Sequence, residues 1–321
     1  LVKEGLRRLK ETKNPGLQEL IRANALEDAK ITAYHIGFVL GPCINASGRL
    51  DTAARSLQLL NAQTIEEAAK LAGDLTALNQ SRKALTEKGK EEAIRLIETT
   101  DLKNDRVLVV YLPDCHESLA GIIAGRLREK YHKPAFVLTR GETSAKGSGR
   151  SIESYSMYEE LVKCADLMVQ FGGHPMAAGL SIKEENIEAF RRQLNENCTL
   201  TEENLRPKIV IDVPMPVSYI TKELVEQISL LEPFGKGNTK PVFAQKGLRV
   251  LDSSILGKNK NVVKVKLLDP QGVPMEGIYF GEAEEFAGFL KEHDTIAVTY
   301  YPEINRFRGR ESLQIIIQNY C

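Results

Sequence analysis

The chain has 321 residues, which at roughly 150 residues per domain predicts two domains or three small ones. Hydrophobic residues make up 42% and charged residues 27%, enough to bury a core, and the formal net charge is zero. That balance excludes a globally basic protein, so any nucleic-acid contact needs a local basic surface. No apolar run approaches 18 residues and the N-terminal LVKEGLRRLKETKN lacks an apolar signal core, so no membrane span and no secretory leader are expected. The five cysteines, Cys43, Cys115, Cys164, Cys198 and Cys321, form no CxxC pair. Reduced thiols in a cytoplasmic protein are expected rather than disulfides or zinc.

LVKEGLRRL already has helical spacing and no N-cap residue precedes it, so the chain reads as a piece of a longer protein. Residues 1–60 read as helices broken by turns, with NPG at 14–16 as one turn. In GFVLGPCINASGRLDTAARSLQLL the Gly-, Pro- and Asn-rich front predicts a loop carrying Asn45, Ser47 and Arg49, and the back half predicts a helix. Thr64 with Glu67 is a capping box. From there Ile65, Ala69, Ala72, Leu75 and Leu78 start one long helix to about residue 98, roughly 50 Å at 1.5 Å per residue. Its polar surface predicts a spacer over 61–104, with Gly73 and Gly89 as bends.

An α/β domain follows over 105–204. Its predicted order is strand 106–112, helix 117–131, strand 133–139, a short strand in SAKGSGRS, helix 155–171, a glycine turn into a strand over 172–182, and helix 185–197. The remainder, 205–321, opens with a strand at 208–213 and a helix at 222–234. Three strand-like runs, a helix (EAEEFAGFLKEH) and two more strands then give the order of an OB-fold barrel. A generic α+β sheet would give the same order. The barrel is favoured because OB barrels place their helix between strands three and four.

The chemistry-bearing motifs are individually weak. In GGHPMAAG, Gly172 and Gly173 let a ligand approach the backbone and His174 can donate to a phosphate, but a tight turn with a surface histidine fits equally. In KGSGRS, Ser148, Gly149 and Arg150 offer a hydroxyl, a close backbone approach and a guanidinium fork for phosphate. By itself the segment is more simply a glycine-rich hairpin. His116 opens a helix whose N-terminus favours an anion. Asp114 and His116 lack a third ligand, so no metal site is expected there. Lys258, Lys260, Lys264 and Lys266 with Tyr279, Phe280, Tyr300, Tyr301 and Phe307 form a basic, aromatic-interleaved stretch of the kind that binds single strands, or a solvated β-ribbon over core rings. No Walker loop, GxSxG or HExxH occurs.

Taken together, GPCINASGRLDTA, CHESLAGIIAGR, KGSGRS, GGHPMAAG, LEPFGKGN and INRFRGRESLQIII, in this order, resemble the RecJ family of the DHH phosphoesterase superfamily across essentially the whole chain. The resemblance implies a helical remnant of a DHH domain over 1–60, a long connecting helix, an α/β DHH-associated domain and a C-terminal OB-like domain. It implies 5′→3′ degradation of single-stranded DNA in repair and recombination, with two Mn2+ or Mg2+ ions held by Asp and His residues that this sequence does not contain. The chain is therefore expected to bind substrate and no metal, and to be inactive alone. By the same resemblance Ser148 and Arg150 match a 5′-phosphate pocket, Gly172, Gly173 and His174 face the scissile phosphate, and Arg49 lies along the strand path. Single-stranded DNA and a single-strand-binding protein are the implied partners, and a monomer is expected. Cys115 stands where the family often has tryptophan, and Cys43 where it often has arginine.

Overall fold

The computed structural model describes residues 1–257, 260–307 and 309–321. Lys3–Pro207 and Lys208–Cys321 form two compact units.

The first unit begins with α1 (Val2–Lys10), α2 (Pro15–Ala23), α3 (Ala33–His35), a π-helical turn (Ile36–Leu40), α4 (Gly41–Leu50) and α5 (Ala54–Asn61). The GPCINASGR segment, expected as a loop, is helical. Pro42 falls in the first turn of α4, where its missing N–H would have had no partner. Gly41 is required because a Cβ there would lie 2.6 Å from the Ile36 carbonyl oxygen. Ser47 is not a loop residue. It is buried against Ser56 of α5, with the hydroxyls 2.7 Å apart, and Ser56 also donates to the Ile44 carbonyl at 2.6 Å.

The long helix, α6 (Ile65–Thr99), starts at Thr64, whose hydroxyl accepts from Glu67 N. The Glu67 carboxylate reaches Gln63 N, one residue before the cap. The helix packs against the core at each end. Ala68, Ala72 and Leu75 pack into the helical core with Leu20, Cys43 and Leu59, while Ala93 and Ile97 pack into the α/β core. Gly89 is a contact point rather than a bend, since a Cβ there would lie 2.7 Å from Ile123 Cδ1.

The α/β part comprises β1 (Leu108–Tyr111), α7 (Glu117–Tyr131), β2 (Ala135–Thr139), β3 (Ala145–Arg150), α8 (Met157–Val162), β4 (Met168–His174), β5 (Ala177–Ile182) and α9 (Ile187–Glu196). Its sheet runs β1-β2-β3-β5-β4. β1 and β2 are parallel and the other pairings antiparallel. The helix expected over 155–171 ends at Val162, and Met168–His174 is a strand. Gly172, Gly173 and His174 therefore end a strand instead of forming a turn. One sheet face, with Val109, Phe136, Leu138 and Leu180, packs on Met157, Leu161, Phe190 and Leu194. The opposite face, with Leu108, Val110, Ala135 and Val137, lies under α7 and the end of α6.

The second unit contains β6 (Val213–Pro214), α10 (Lys222–Ser229), β7 (Phe243–Leu256), β8 (Val262–Leu268), β9 (Pro274–Phe280), α11 (Ala283–Glu292), β10 (Thr295–Phe307) and β11 (Arg310–Tyr320). The strands run β7-β8-β9-β11-β10, and β10 pairs back onto β7. With α11 between the third and fourth of these strands, this is the expected OB-like order. Of the expected opening strand 208–213 only Val213 joins the sheet, together with Pro214 beyond it, and Ile209, Val210 and Ile211 are exposed. α10 stops at Ser229 rather than 234.

Gly149 packs where a Cβ would meet Phe136 Cε1 at 2.6 Å and Met157 Sδ at 2.7 Å, both in fully buried side chains. Gly149→Ala is expected to lower the unfolding free energy by about 1–3 kcal/mol in urea denaturation. Unchanged stability would contradict this packing.

Candidate anion site on the open half of the sheet

In a strand, alternate side chains share a face. On β3, Ala145, Gly147 and Gly149 point into the core. A Cβ on Gly147 would sit 2.9 Å from Leu180 Cγ. Lys146, Ser148 and Arg150 consequently point to the opposite face. The strand register extends this face over β5 and β4 in three rows. Lys146 lies beside Ser181, then Gln170; Ser148 beside Gly179, then Gly172; Arg150 beside Ala177, then His174. α7 covers this face over β2 and β3, and the rows continue beyond it over β5 and β4. Beyond Ser148 the middle row carries only Gly179 and Gly172, and a Cβ on Gly172 would meet no atom within 4 Å. The result is a backbone floor flanked by donors.

The donors are fixed by their surroundings. Met176 N donates to His174 Nδ1 at 3.2 Å, so the neutral ring carries its proton on Nε2. Gly173 is needed in β4, because a Cβ would lie 2.5 Å from the Ala177 carbonyl oxygen. Arg150 donates to its neighbour Gly149 O at 2.7 Å. Gly121 of α7 makes room for it: a Cβ there would sit 2.8 Å from Arg150 Nη2 and 3.3 Å from Ser148 Oγ. The GIIAGR spacing thus seats both side chains against the helix.

Two further guanidiniums act on the same region. Arg49 donates to Ser118 O of α7 at 2.8 Å, and Arg82 of α6 donates to Asn79 Oδ1 at 3.1 Å. Burial, then the charges of Arg49 and Arg128, push the Arg150 pKa below its ordinary value. Burial, then Arg49, does the same to Arg82. The Arg49 charge thus acts on both Arg82 and Arg150, and each of the three donates to a neutral acceptor. Such a group of like charges is relieved by a bound anion. Arg82 was not anticipated from sequence. It stands in the polar run SRKALTEKGKEEA, yet its spacing from Leu75, Asn79, Thr86 and Gly89 puts it on the inward stripe of α6.

Other expected residues lie elsewhere. His116 caps α7: its Nδ1 accepts from Ser118 N at 3.3 Å and lies 2.8 Å from Ser118 Oγ, so it organises the helix start. Lys264 is 2.8 Å from Glu276 Oε1, and Lys266 stands opposite Asp252 and Glu276 in the register. The lysines of β8 are therefore interleaved with carboxylates. Lys260 follows β7 with a φ of 50°. Lys258 lies outside the described residues. Tyr300 and Tyr301 are core residues, whereas Phe280 is 61% exposed. Among the described residues no group of three or more His, Cys, Asp or Glu side chains is arranged to hold a metal ion.

The chain thus combines an α/β unit, whose half-covered five-stranded sheet bears a glycine-floored cationic face, with an OB-like unit. Residues 104–199 match the DHHA1 domain and residues 211–319 the RecJ OB domain. The single-stranded-DNA-specific exonuclease RecJ of Bacillus subtilis is 33% identical over 98% of this chain and 40% of its own length. The same exonuclease of Escherichia coli is 33% identical over 98% of this chain and 56% of its length. The crystal structure of RecJ with Mg2+ from Thermus thermophilus superposes with a TM-score of 0.83 at 26% identity, covering 99% of this chain and 48% of that one. The chain belongs to the RecJ family and spans about half the length of these relatives.

Gly121→Ala is expected to leave the fold intact, with helix propensity raising stability by up to about 1 kcal/mol. It should weaken inorganic phosphate binding by displacing Arg150, which phosphate-dependent thermal stabilisation measures. Wild-type phosphate affinity in this variant would contradict the assigned seat.

Proposed function

We propose that this chain is the substrate-holding part of a single-strand-specific 5′→3′ DNA exonuclease acting in repair and recombination. The observation that carries the reading is the register that lines up Ser148, Arg150, Gly172 and His174 on one sheet face at the edge of α7, within the field of Arg49. A terminal 5′-phosphate is a dianion with several acceptor oxygens. Arg150 supplies a fork, Ser148 a hydroxyl, and His174 an Nε2–H donor. Gly172 and Gly179 let the phosphate approach the backbone. Gly149 supports this from behind, since it lets β3 lie close to the core.

In this reading the OB-like unit binds single-stranded DNA on its own account, through exposed rings such as Phe280 more than through its interleaved lysines. Manganese or magnesium belongs to the remainder of the proposed parent, and this chain is proposed to hold no metal and to hydrolyse nothing alone. The proposed setting is cytoplasmic, as a monomer, with a single-strand-binding protein as partner. Among the described residues no helix is long and apolar enough to cross a membrane. The proposed division remains 1–60, 61–104, 105–204 and 205–321.

The test compares 5′-phosphorylated with 5′-hydroxyl oligonucleotides by fluorescence anisotropy. The chain is expected to prefer the phosphorylated form, and Arg150→Ala to erase a preference of about 1.5–3 kcal/mol, the range for a charge-assisted hydrogen bond. A preference that survives in Arg150→Ala would overturn the assignment. Raising salt should weaken both forms, and the phosphorylated one more steeply.

A further inference from the structure

β4 ends the five-stranded sheet, and among the described residues β5 is its one strand partner. In an antiparallel pair alternate residues turn both N–H and C=O away from the partner, so β4 presents a row of unpaired backbone groups. The opposite edge differs, because Leu108, Val109 and Val110 of β1 are buried. β4 is exposed at Val169, Gln170 and from Gly172 to His174. It contains no lysine, arginine or proline, the residues that commonly blunt an edge. Its register skips at Val169, which is 64% exposed, and regular pairing continues from Gln170 to His174.

An apolar strip borders this edge on the side away from Ser148 and Arg150. Phe171 shares the face of Leu180 and Gly147, and its ring lies 6.3 Å from that of Tyr158 on α8. Tyr158 and Val162 stand one helical turn apart and are 45% and 50% exposed. A helix beside an unpaired strand makes a slot in which an added strand places its alternate side chains. We propose that β4 and α8 form a docking site for an extended segment of a partner protein, which joins the sheet as a further strand.

The chemistry of that segment follows from the site. The unpaired backbone of β4 calls for an extended chain, because a helix satisfies its own backbone groups. Phe171, Tyr158 and Val162 favour apolar side chains at every second position, where a strand turns them to one face. Glu159 follows Tyr158, Asp166 precedes β4, and both carboxylates are exposed. Glu160 is already matched by Lys163 at 2.6 Å. The border is therefore acidic, which fits lysine or arginine beside the apolar run. A second copy of this chain fits less well, since pairing β4 with β4 would set like carboxylates together. The proposal does not rest on the phosphate reading, because α8 packs on the sheet face opposite Ser148 and Arg150.

The probe is the end-blocked peptide KVTVSVTVK, titrated into the full chain and followed by NMR and amide hydrogen exchange. Saturable binding is expected below about 1 mM, with slowed exchange of β4 amides. The same peptide N-methylated at alternate residues cannot donate to β4 and should bind about tenfold more weakly, and EVTVSVTVE should also bind more weakly. Val162→Lys and Val169→Lys should each weaken binding about tenfold by removing apolar contact and repelling the peptide's lysines. Both side chains are exposed, so the fold is retained, and inorganic phosphate affinity should stay at the wild-type value. No saturable binding, equal affinity for the N-methylated peptide, or wild-type affinity in both lysine variants overturns the site. Self-association without peptide that Val169→Lys abolishes would make the occupant a second copy and overturn it equally.

Discussion

The site depends on the two-residue period of β3. Glycines at 147 and 149 let the strand lie against Leu180, Phe136 and Met157 without a Cβ, and this close packing fixes which face is inward. Once that face is set, Lys146, Ser148 and Arg150 must project to the other. Slipping the strand by one residue would bury the cations and expose the glycines. The same register carries the arrangement to β5 and β4, where glycines occupy the middle row. A cationic patch with a bare backbone floor follows from the packing of the opposite side of the sheet.

The second constraint is coverage. α7 shields the sheet over β2 and β3, where Ala135 and Val137 are buried, and stops short of β5 and β4. Gly121 lets the guanidinium of Arg150 lie at that boundary, half-buried and directed by the helix. Desolvation there strengthens its attraction for an anion. α4 brings the charge of Arg49 to bear on Arg150 from outside the sheet, so the helical part contributes to a site that the α/β part builds.

Much of this was legible in the sequence, and the failures have physical causes. The Thr64 cap and the strand-rich order of the last third were readable because caps and alternating apolar runs are local signals. The strand Met168–His174 was not. It is an edge strand whose outer face is open, so it lacks the apolar alternation that marks a half-buried strand. GPCINASGR reads as a loop by composition, but its small residues serve close helix packing around Ser47 and Ser56. Arg82 was hidden because a cation within a polar helical run looks solvated until the inward stripe of α6 is known. Ser148, Arg150 and His174 were named from motifs. Their common face emerged only from the register, because the motifs do not specify which strands pair.

The central claim is that the open half of the five-stranded sheet is where a phosphorylated DNA end docks. Backbone amide NMR of the chain titrated with a 5′-phosphorylated dinucleotide measures this directly. The account predicts that the largest shifts fall on Ser148, Gly172, His174 and Gly179. Shifts confined to Lys208–Cys321, with these four amides unmoved, would contradict it.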